Sequence, residues 1–378
     1  MRDRSFADFG FDSEVVELLS VRGITVPTDV QQLAIPEILG GGNVVVRSQT
    51  GSGKTLAYLL PISRNINDVN GVVLVVVPTR ELALQVAGQA ALLPAFGDSV
   101  AVIYGGVEYG AQIEALAATP KLVVATPGRL LDLVAQGAAD IVGKVAIFVL
   151  DEVDQMVDMG FRESIAEIAG YRMIDAQTMC FSATLPNGVE ELISGVAGSY
   201  KLLECLDQKA AAQTISQSAY FVEQSMMEHL LKYLLQSDKP DSAIVFCRSK
   251  GMADRLVKQF EGAEAFHSDR SQAAREHILQ RFRDRETTLL IATDVLARGI
   301  DVANVSHVYN FGLPQAAEQY LHRIGRTGRA GAEGVARSLV CPDERKMLQQ
   351  ICATMKQSVE IVKSHPYLTP AVSKAMML

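Results

Sequence analysis

The stretch Ser48-Gln49-Thr50-Gly51-Ser52-Gly53-Lys54-Thr55 follows the apolar run Val44-Val45-Val46 and precedes Leu56-Ala57-Tyr58-Leu59-Leu60. A strand, a glycine-bearing loop and a helix in that order are the setting of a phosphate-binding loop. Gly51 and Gly53 let successive backbone N–H groups turn toward one point, and the helix adds the positive end of its dipole. In that arrangement Lys54 reaches the β- and γ-phosphates of a nucleotide, and the Thr55 hydroxyl holds Mg²⁺. A plain Gly-rich turn is the competing reading, and the strand and helix on either side weigh against it.

Working outward, short runs of Val, Ile and Leu recur at 43–47, 72–77, 100–104, 122–125, 145–150 and 178–181. They are continuously apolar, as parallel strands covered on both faces must be, and the segments between them are helical in pattern. A second series falls at 243–247, 288–292, 305–310 and 335–340. The polar, small-residue stretch around 206–214 separates the two. The expectation is an α/β protein of two lobes: a first domain over 1–205, a linker over 206–216 and a second domain over 217–378. The length of 378 residues suits two domains better than one.

Polar clusters follow the strand runs. Pro78-Thr79-Arg80-Glu81 comes after the second, Thr126-Pro127-Gly128-Arg129 after the fourth, Asp151-Glu152-Val153-Asp154 after the fifth and Ser182-Ala183-Thr184 after the sixth. Ligands bind at the carboxyl ends of strands in open α/β sheets, so these clusters are expected to share a face with the phosphate loop. Beside such a loop, Asp151 would hold Mg²⁺ through water and Glu152 would orient or deprotonate an attacking water. In the second lobe, His322-Arg323-Ile324-Gly325-Arg326-Thr327-Gly328-Arg329 packs three arginines among glycines. Planar guanidinium groups suit a phosphoryl transition state, so this lobe is expected to complete catalysis when ATP closes the cleft.

Composition narrows the class. A hydrophobic share of 48% and a charged share of 21% are those of a folded protein. The net charge of −8 excludes a diffuse polycationic coat, although a local basic groove remains compatible with it. The five cysteines show no Cys-x-x-Cys pair and are expected to be buried free thiols in a reducing compartment. Neither a signal peptide nor a membrane span is visible, so a soluble intracellular protein is expected, its compartment left open. The first functional residues lie so near Met1 that loss of a terminal targeting segment is compatible with the sequence. Beyond Leu348 there is no basic or Arg-Gly-rich tail, and so no sign of an appended RNA-specificity module.

The order and spacing of these clusters, from about Phe6 to about Leu348, resemble the DEAD-box family of ATP-dependent RNA helicases. The resemblance implies two tandem RecA-like domains, each a mostly parallel sheet covered by helices on both faces. It implies ATP and Mg²⁺ as cofactors, with Ser48, Gln49, Thr50, Gly51, Ser52, Gly53, Lys54 and Thr55 on the phosphates, Gln31 on the adenine edge, Phe6 on its ring and Asp301 on the ribose. Lys54, Asp151, Glu152, Arg326 and Arg329 would be catalytic, with Thr55 and Asp151 at the metal. Pro78, Thr79, Arg80, Gly105, Gly106, Thr126, Pro127, Gly128 and Arg129 would grip RNA from the first lobe, and Thr293 and Arg298 from the second. His267-Ser268-Asp269 and Arg275 fall where the family has a further backbone-contacting segment. Asp154, Ser182, Thr184 and His322 would couple hydrolysis to strand separation.

Three positions depart from the family pattern: Ser48 where Gly or Ala is usual, Ile24 in place of an aromatic, and Val153 in place of Ala. Activity is expected to survive Val153, whose β-branched side chain bears on the coupling to Ser182 and Thr184. The implied activity is RNA-dependent ATP hydrolysis with local unwinding of short duplexes or remodelling of RNA–protein complexes. The rival is an ATP-gated clamp or assembly factor. Partners would be single-stranded or short duplex RNA and protein cofactors, with no membrane and the chain acting as a monomer.

Overall fold

Val44, Val45 and Val46 are all buried, although successive side chains of a strand point to opposite faces. A strand built this way has to lie between two layers. The computed structural model describes residues 4–49, 51–205, 215–294, 305–328, 333–355 and 357–377. The chain divides into two units, Met1–Leu206 and Asp207–Leu378.

In the first unit β1 (Val44–Ser48), β2 (Val72–Val76), β3 (Val100–Ile103), β4 (Leu122–Ala125), β5 (Val145–Asp151), β6 (Arg172–Ser182) and β7 (Lys201–Cys205) form one sheet. Its order is β3-β4-β2-β5-β6-β1-β7, and every pairing is parallel. Val46, Val75, Val149 and Phe181 face one core, which Ile35 and Tyr58 of the flanking helices complete. Val45, Leu74, Phe148 and Cys180 face the other, against Leu130, Met156 and Leu192. Uniform apolarity along each strand is thus what a two-sided core requires.

The second unit holds β8 (Ile215–Phe221), β9 (Ala243–Cys247), β10 (Ala263–Phe266), β11 (Leu289–Ala292), β12 (His307–Phe311), β13 (Gly334–Val340) and β14 (Glu360–Ile361). They run parallel in the order β10-β11-β9-β12-β13-β8-β14. Counted from the first strand of each unit, the two orders are the same permutation.

Periodicity did not anticipate β7, β8, β10 and β14. Ile215 and Ser216, assigned above to the linker, are the first residues of β8, and 206–214 lies outside the described residues. Strand β8 escapes a hydrophobicity reading because buried polar residues occupy its centre. Gln217 Oε1 accepts from the Tyr320 hydroxyl at 3.1 Å and Ser218 Oγ from Arg337 Nη1 at 2.9 Å, which makes their burial affordable. Strand β7 is an edge strand with mostly exposed side chains.

All five cysteines are free, with Cys180, Cys247 and Cys341 buried and Cys205 and Cys352 half-buried. Burial pushes the Cys180 thiol up to about 12 and those of Cys247 and Cys341 to about 11. Among the described residues no helix is long and apolar enough to cross a membrane.

Gly334 opens β13 against the arginine-rich turn. A Cβ there would lie 2.5 Å from the Gly328 nitrogen and 2.6 Å from Thr327 Oγ1, closer than atoms can pack. Gly334→Ala is therefore expected to destabilise the protein by about 1–3 kcal/mol, read as a lower midpoint in urea unfolding.

Candidate active site

The parallel sheet sends every strand of the first unit out at one edge, and the expected site residues emerge there. Gly105-Gly106 follows β3, Thr126–Arg129 follows β4, Pro78–Arg80 follows β2, Asp151 ends β5, Ser182 ends β6 and the phosphate loop follows β1. In sheet order, the groups expected to hold RNA leave β3, β4 and β2, and those expected to hold the nucleotide leave β5, β6 and β1. Adjacent strands lie about 4.8 Å apart, so the six clusters form a continuous band.

At the phosphate loop, Gly51 and Gly53 take φ of 81° and 94°, a left-handed backbone that other residues avoid. The helix Lys54–Asn65 begins directly after. Lys54 is buried, and its Nζ donates to the Ser48 carbonyl oxygen at 3.1 Å, so the lysine closes over its own loop. Ser48 is fully buried with its hydroxyl 3.1 Å from that of Ser52, which in turn donates to the Gln49 carbonyl oxygen at 2.8 Å. The departure at Ser48 thus adds a staple across the loop. Thr50 lies outside the described residues.

Gln31 is buried and bonded through both ends of its amide. Its Oε1 accepts from the Thr28 N–H at 3.0 Å, and its Nε2 donates to the Gly53 carbonyl oxygen at 3.1 Å. The segment expected to read adenine is thereby tied to the phosphate loop. Phe6 packs with Phe9 and Phe11 in the first core and is 2% exposed, so its ring is covered where stacking on a base was expected. Ile24 packs against the same core, filling the place of an aromatic with an aliphatic chain.

Asp151 and Glu152 are both buried. Burial raises the Asp151 carboxyl above its ordinary range, opposed by the Lys54 charge and by a hydrogen bond from Tyr58. The Tyr58 hydroxyl donates to Oδ2 at 3.0 Å. Oδ1 is buried with no hydrogen-bond partner among the described residues. An anionic oxygen left in that condition, with the Thr55 hydroxyl at the start of the helix, is a hard donor set suited to Mg²⁺. Among the described residues there is no group of three or more His, Cys, Asp or Glu that could hold a metal ion.

Glu152 sits at φ 55°, ψ 53°, a left-handed conformation rare outside glycine and a store of strain at functional positions. It caps the helix Val153–Asp158. Val153 points into the second core and is fully buried, away from the polar groups on either side. Asp154 Oδ2 accepts from both the Thr184 N–H and the Thr184 hydroxyl at 2.9 Å. Ser182 Oγ accepts from the Asp154 N–H at 3.3 Å and donates to the Thr184 carbonyl oxygen at 2.6 Å. The Asp-Glu-Val-Asp and Ser-Ala-Thr clusters are therefore one hydrogen-bonded unit, with Val153 present.

Arg80 and Arg129 are buried, and each guanidinium lies over a tyrosine ring: Arg80 over Tyr104 at 4.2 Å, Arg129 over Tyr109 at 4.0 Å. Arg129 Nη2 also donates to the Val107 carbonyl oxygen at 2.9 Å. Gln112 fixes Tyr104, accepting from its N–H at 3.0 Å and donating to its carbonyl oxygen at 3.1 Å. Tyr104, Tyr109 and Gln112 are thus residues the sequence reading missed; two tyrosines bracketing Gly105-Gly106 were the available signal. Thr79 caps the helix Arg80–Ala91 by accepting from the Leu82 N–H, and Thr126 and Pro127 begin the helix Pro127–Ala135 with Gly128.

In the second unit the two described arginines of the cluster differ in kind. Arg323 is fully buried and bidentate to Asp294 at 2.6 and 3.1 Å, so its charge is committed within its own unit. Arg326 is buried, with Nε donating to the His322 carbonyl oxygen at 3.3 Å, and His322 is buried on the helix Ala317–Ile324. The Thr293 N–H donates to the Phe266 carbonyl oxygen at 3.2 Å at the end of β11. Buried His267 shares Asp254 with Arg270. Arg298, Asp301 and Arg329 lie outside the described residues.

The first unit thus carries a phosphate loop and acidic strand ends, and the second an arginine cluster at the end of the helix Ala317–Ile324. Residues 28–192 match the DEAD/DEAH box helicase family, and residues 225–331 match the helicase conserved C-terminal domain. The chain is 38% identical over 366 residues to the DEAD-box ATP-dependent RNA helicase CshA of Geobacillus kaustophilus, covering 95% of this chain and 78% of that protein. It is 37% identical over 365 residues to RhpA of Helicobacter pylori, covering 94% and 74%. Among solved structures it is similar to Mss116p bound to ssRNA and AMP-PNP, with a TM-score of 0.86 at 28% identity over 100% of this chain and 82% of that one. It is also similar to S. cerevisiae Dbp5 bound to RNA and ADP BeF3, with a TM-score of 0.84 at 28% identity over 95% of each chain. The chain belongs to the DEAD-box helicase family, and its two units are tandem RecA-like domains.

A Cβ on Gly53 would lie 2.6 Å from Gln31 Nε2 on a backbone at φ +94°. Gly53→Ala is expected to cost about 1–3 kcal/mol of nucleotide binding, measured by titration with a fluorescent ADP analogue, with the far-UV circular dichroism unchanged.

Proposed function

We propose that this chain is an RNA-dependent ATPase that separates short RNA duplexes locally, or remodels RNA–protein complexes, when ATP draws its two domains together. The observation that carries the reading is the band of clusters along one edge of the first sheet, with the nucleotide groups at β5, β6 and β1 beside the RNA groups at β2, β4 and β3. The domain limits proposed are 1–205 and 217–378, with Ile215–Ser216 joined to the second. ATP and Mg²⁺ are the cofactors, RNA is the substrate, and the chain acts as a monomer with protein partners.

In this reading the loop 48–55 cradles the phosphates, Lys54 exchanging its bond to Ser48 for them. Thr55, and Asp151 through water, would hold Mg²⁺, which when bound would supply charge neutralisation at the phosphates. Glu152 takes the proton of the attacking water, and its strained backbone aims the carboxylate. Arg326 and Arg329 complete the charge complement from the second domain. Asp301 and Gln31 select the nucleoside, and Phe6 would have to uncover its ring to stack. Asp154, with Ser182 and Thr184, passes the state of β5 to β6, and His322 receives it. Arg80 and Arg129, held flat on tyrosines, present fixed charges to the RNA backbone together with Pro78, Thr79, Gly105, Gly106, Thr126, Pro127 and Gly128, and with Thr293 and Arg298 from the other domain.

ATP turnover measured with and without single-stranded RNA, followed by strand separation on a short duplex, tests the proposal. RNA stimulation with separation is expected. Absence of stimulation overturns the reading, and turnover without separation points to a clamp.

Glu152→Gln is expected to bind ATP and RNA normally while hydrolysis falls by a factor of about 10²–10⁴, the range for a lost general base. Normal turnover in that variant removes Glu152 from the role. Replacing Tyr104 and Tyr109 together by Leu is expected to weaken RNA binding by about 0.5–2 kcal/mol per lost cation–π contact, seen as a raised RNA concentration for half-maximal ATPase at unchanged nucleotide affinity.

A further inference from the structure

Tyr58 has no part in the readings above beyond its contact with Asp151. It lies one turn into the helix that follows the phosphate loop and is fully buried. Its ring packs on Phe181 of β6 with centroids 5.1 Å apart. Phe181 is in register with Asp151 of β5 on one side and Val46 of β1 on the other, so it marks the midpoint between the phosphate loop's strand and the acidic one. Lying across Phe181, the Tyr58 side chain spans that gap and brings its hydroxyl to Asp151 Oδ2 at 3.0 Å. Thr55 lies three residues earlier on the same helix. One buried hydroxyl therefore holds a carboxylate assigned to the metal.

A phenylalanine would supply the same packing without an O–H that must be satisfied away from water. The hydroxyl is accounted for by what it touches: by taking Oδ2, it leaves Oδ1 as the carboxylate oxygen without a hydrogen bond among the described residues. We propose that Tyr58 is a positioning residue for the Mg²⁺–nucleotide site, holding Asp151 in the orientation that receives the ion. Hydrogen bonds behind metal ligands orient them and raise their affinity, and loss of one commonly costs about 10–100-fold in metal affinity. The proposal rests on the assignment of ATP and Mg²⁺ to this site.

The test is Tyr58→Phe in the full chain, with a fluorescent ADP analogue titrated at a series of Mg²⁺ concentrations and in EDTA. The expected result is a Mg²⁺ midpoint raised about tenfold, unchanged affinity in EDTA, an unchanged melting temperature in EDTA, and ATPase activity recovered by excess Mg²⁺. Tyr58→Met, which fills the slot without a hydroxyl, must show the same shift. Asp151→Asn is the reference. If it shifts the Mg²⁺ midpoint and the Tyr58 variants do not, Tyr58 is a packing residue and the proposal fails, whatever the variants' stability. If none of the three shifts it, the assignment of Asp151 to the ion fails, and the role of Tyr58 with it.

Discussion

Strands buried on both faces leave polar side chains very little room. In the first unit the interiors of β1, β2, β4 and β5 are Val, Leu, Ile, Ala and Phe because each face meets a core. Chemistry is thereby confined to strand ends, and parallel pairing puts all the carboxyl ends on one side. The sheet order then decides which groups are neighbours. Inserting β6 between β5 and β1 sets Ser182 beside Asp151 and the phosphate loop, while β2 sets Arg80 on the other side of Asp151. Asp151 stands where the two halves of the band meet because β5 is the central strand.

That confinement has an energetic consequence at β5. Asp151, Glu152 and Asp154 are acidic side chains within four residues, all buried. Two of them find partners there: Lys54 and Tyr58 face Asp151, and the Thr184 N–H and hydroxyl bond Asp154. The left-handed backbone at Glu152 adds strain on top of this desolvation. The Thr184 bonds serve two ends at once. They satisfy a buried carboxylate, and they make any movement at the end of β5 felt at the end of β6, which is the physical content of coupling between the two clusters.

How much of this was legible in the sequence follows from what each residue does. The phosphate loop and the strand-end clusters could be read because their meaning is local: glycines in a turn, carboxylates after an apolar run. Tyr58 and Gln112 could not, because their role lies in contacts across the fold that spacing does not encode, and in the sequence they are an aromatic in a helix and a polar helix residue. Gln31 was legible as a functional position only through resemblance, and its bond to Gly53 only through structure. The arginine cluster shows the opposite error. Three arginines in seven residues read as one charge device, yet Arg323 is consumed by Asp294 and serves its own domain. Strand β8 was missed for a related reason, since its polar residues are paired in the interior by Arg337 and Tyr320.

The repeated topology makes the asymmetry between the units informative. Strand β8 occupies in the second sheet the place of β1 in the first, so the segment after it is the structural counterpart of the phosphate loop. There the chain reads Val222-Glu223-Gln224-Ser225-Met226 before the helix Met227–Asp238, with no glycine to turn backbone N–H groups inward and with a carboxylate where an anion would bind. Strand β12 matches β5, but Gly312-Leu313 replaces the acidic pair, and the Leu313 N–H is taken by Glu344 at 2.8 Å. The fold alone therefore does not make a nucleotide site. One domain carries the glycines, lysine and carboxylates; the other carries the same sheet, with Arg326 in the turn after the helix Ala317–Ile324. The glycines, lysine and acidic pair expected to bind nucleotide are thus a property of the first unit's loops and not of the sheet topology that both units share.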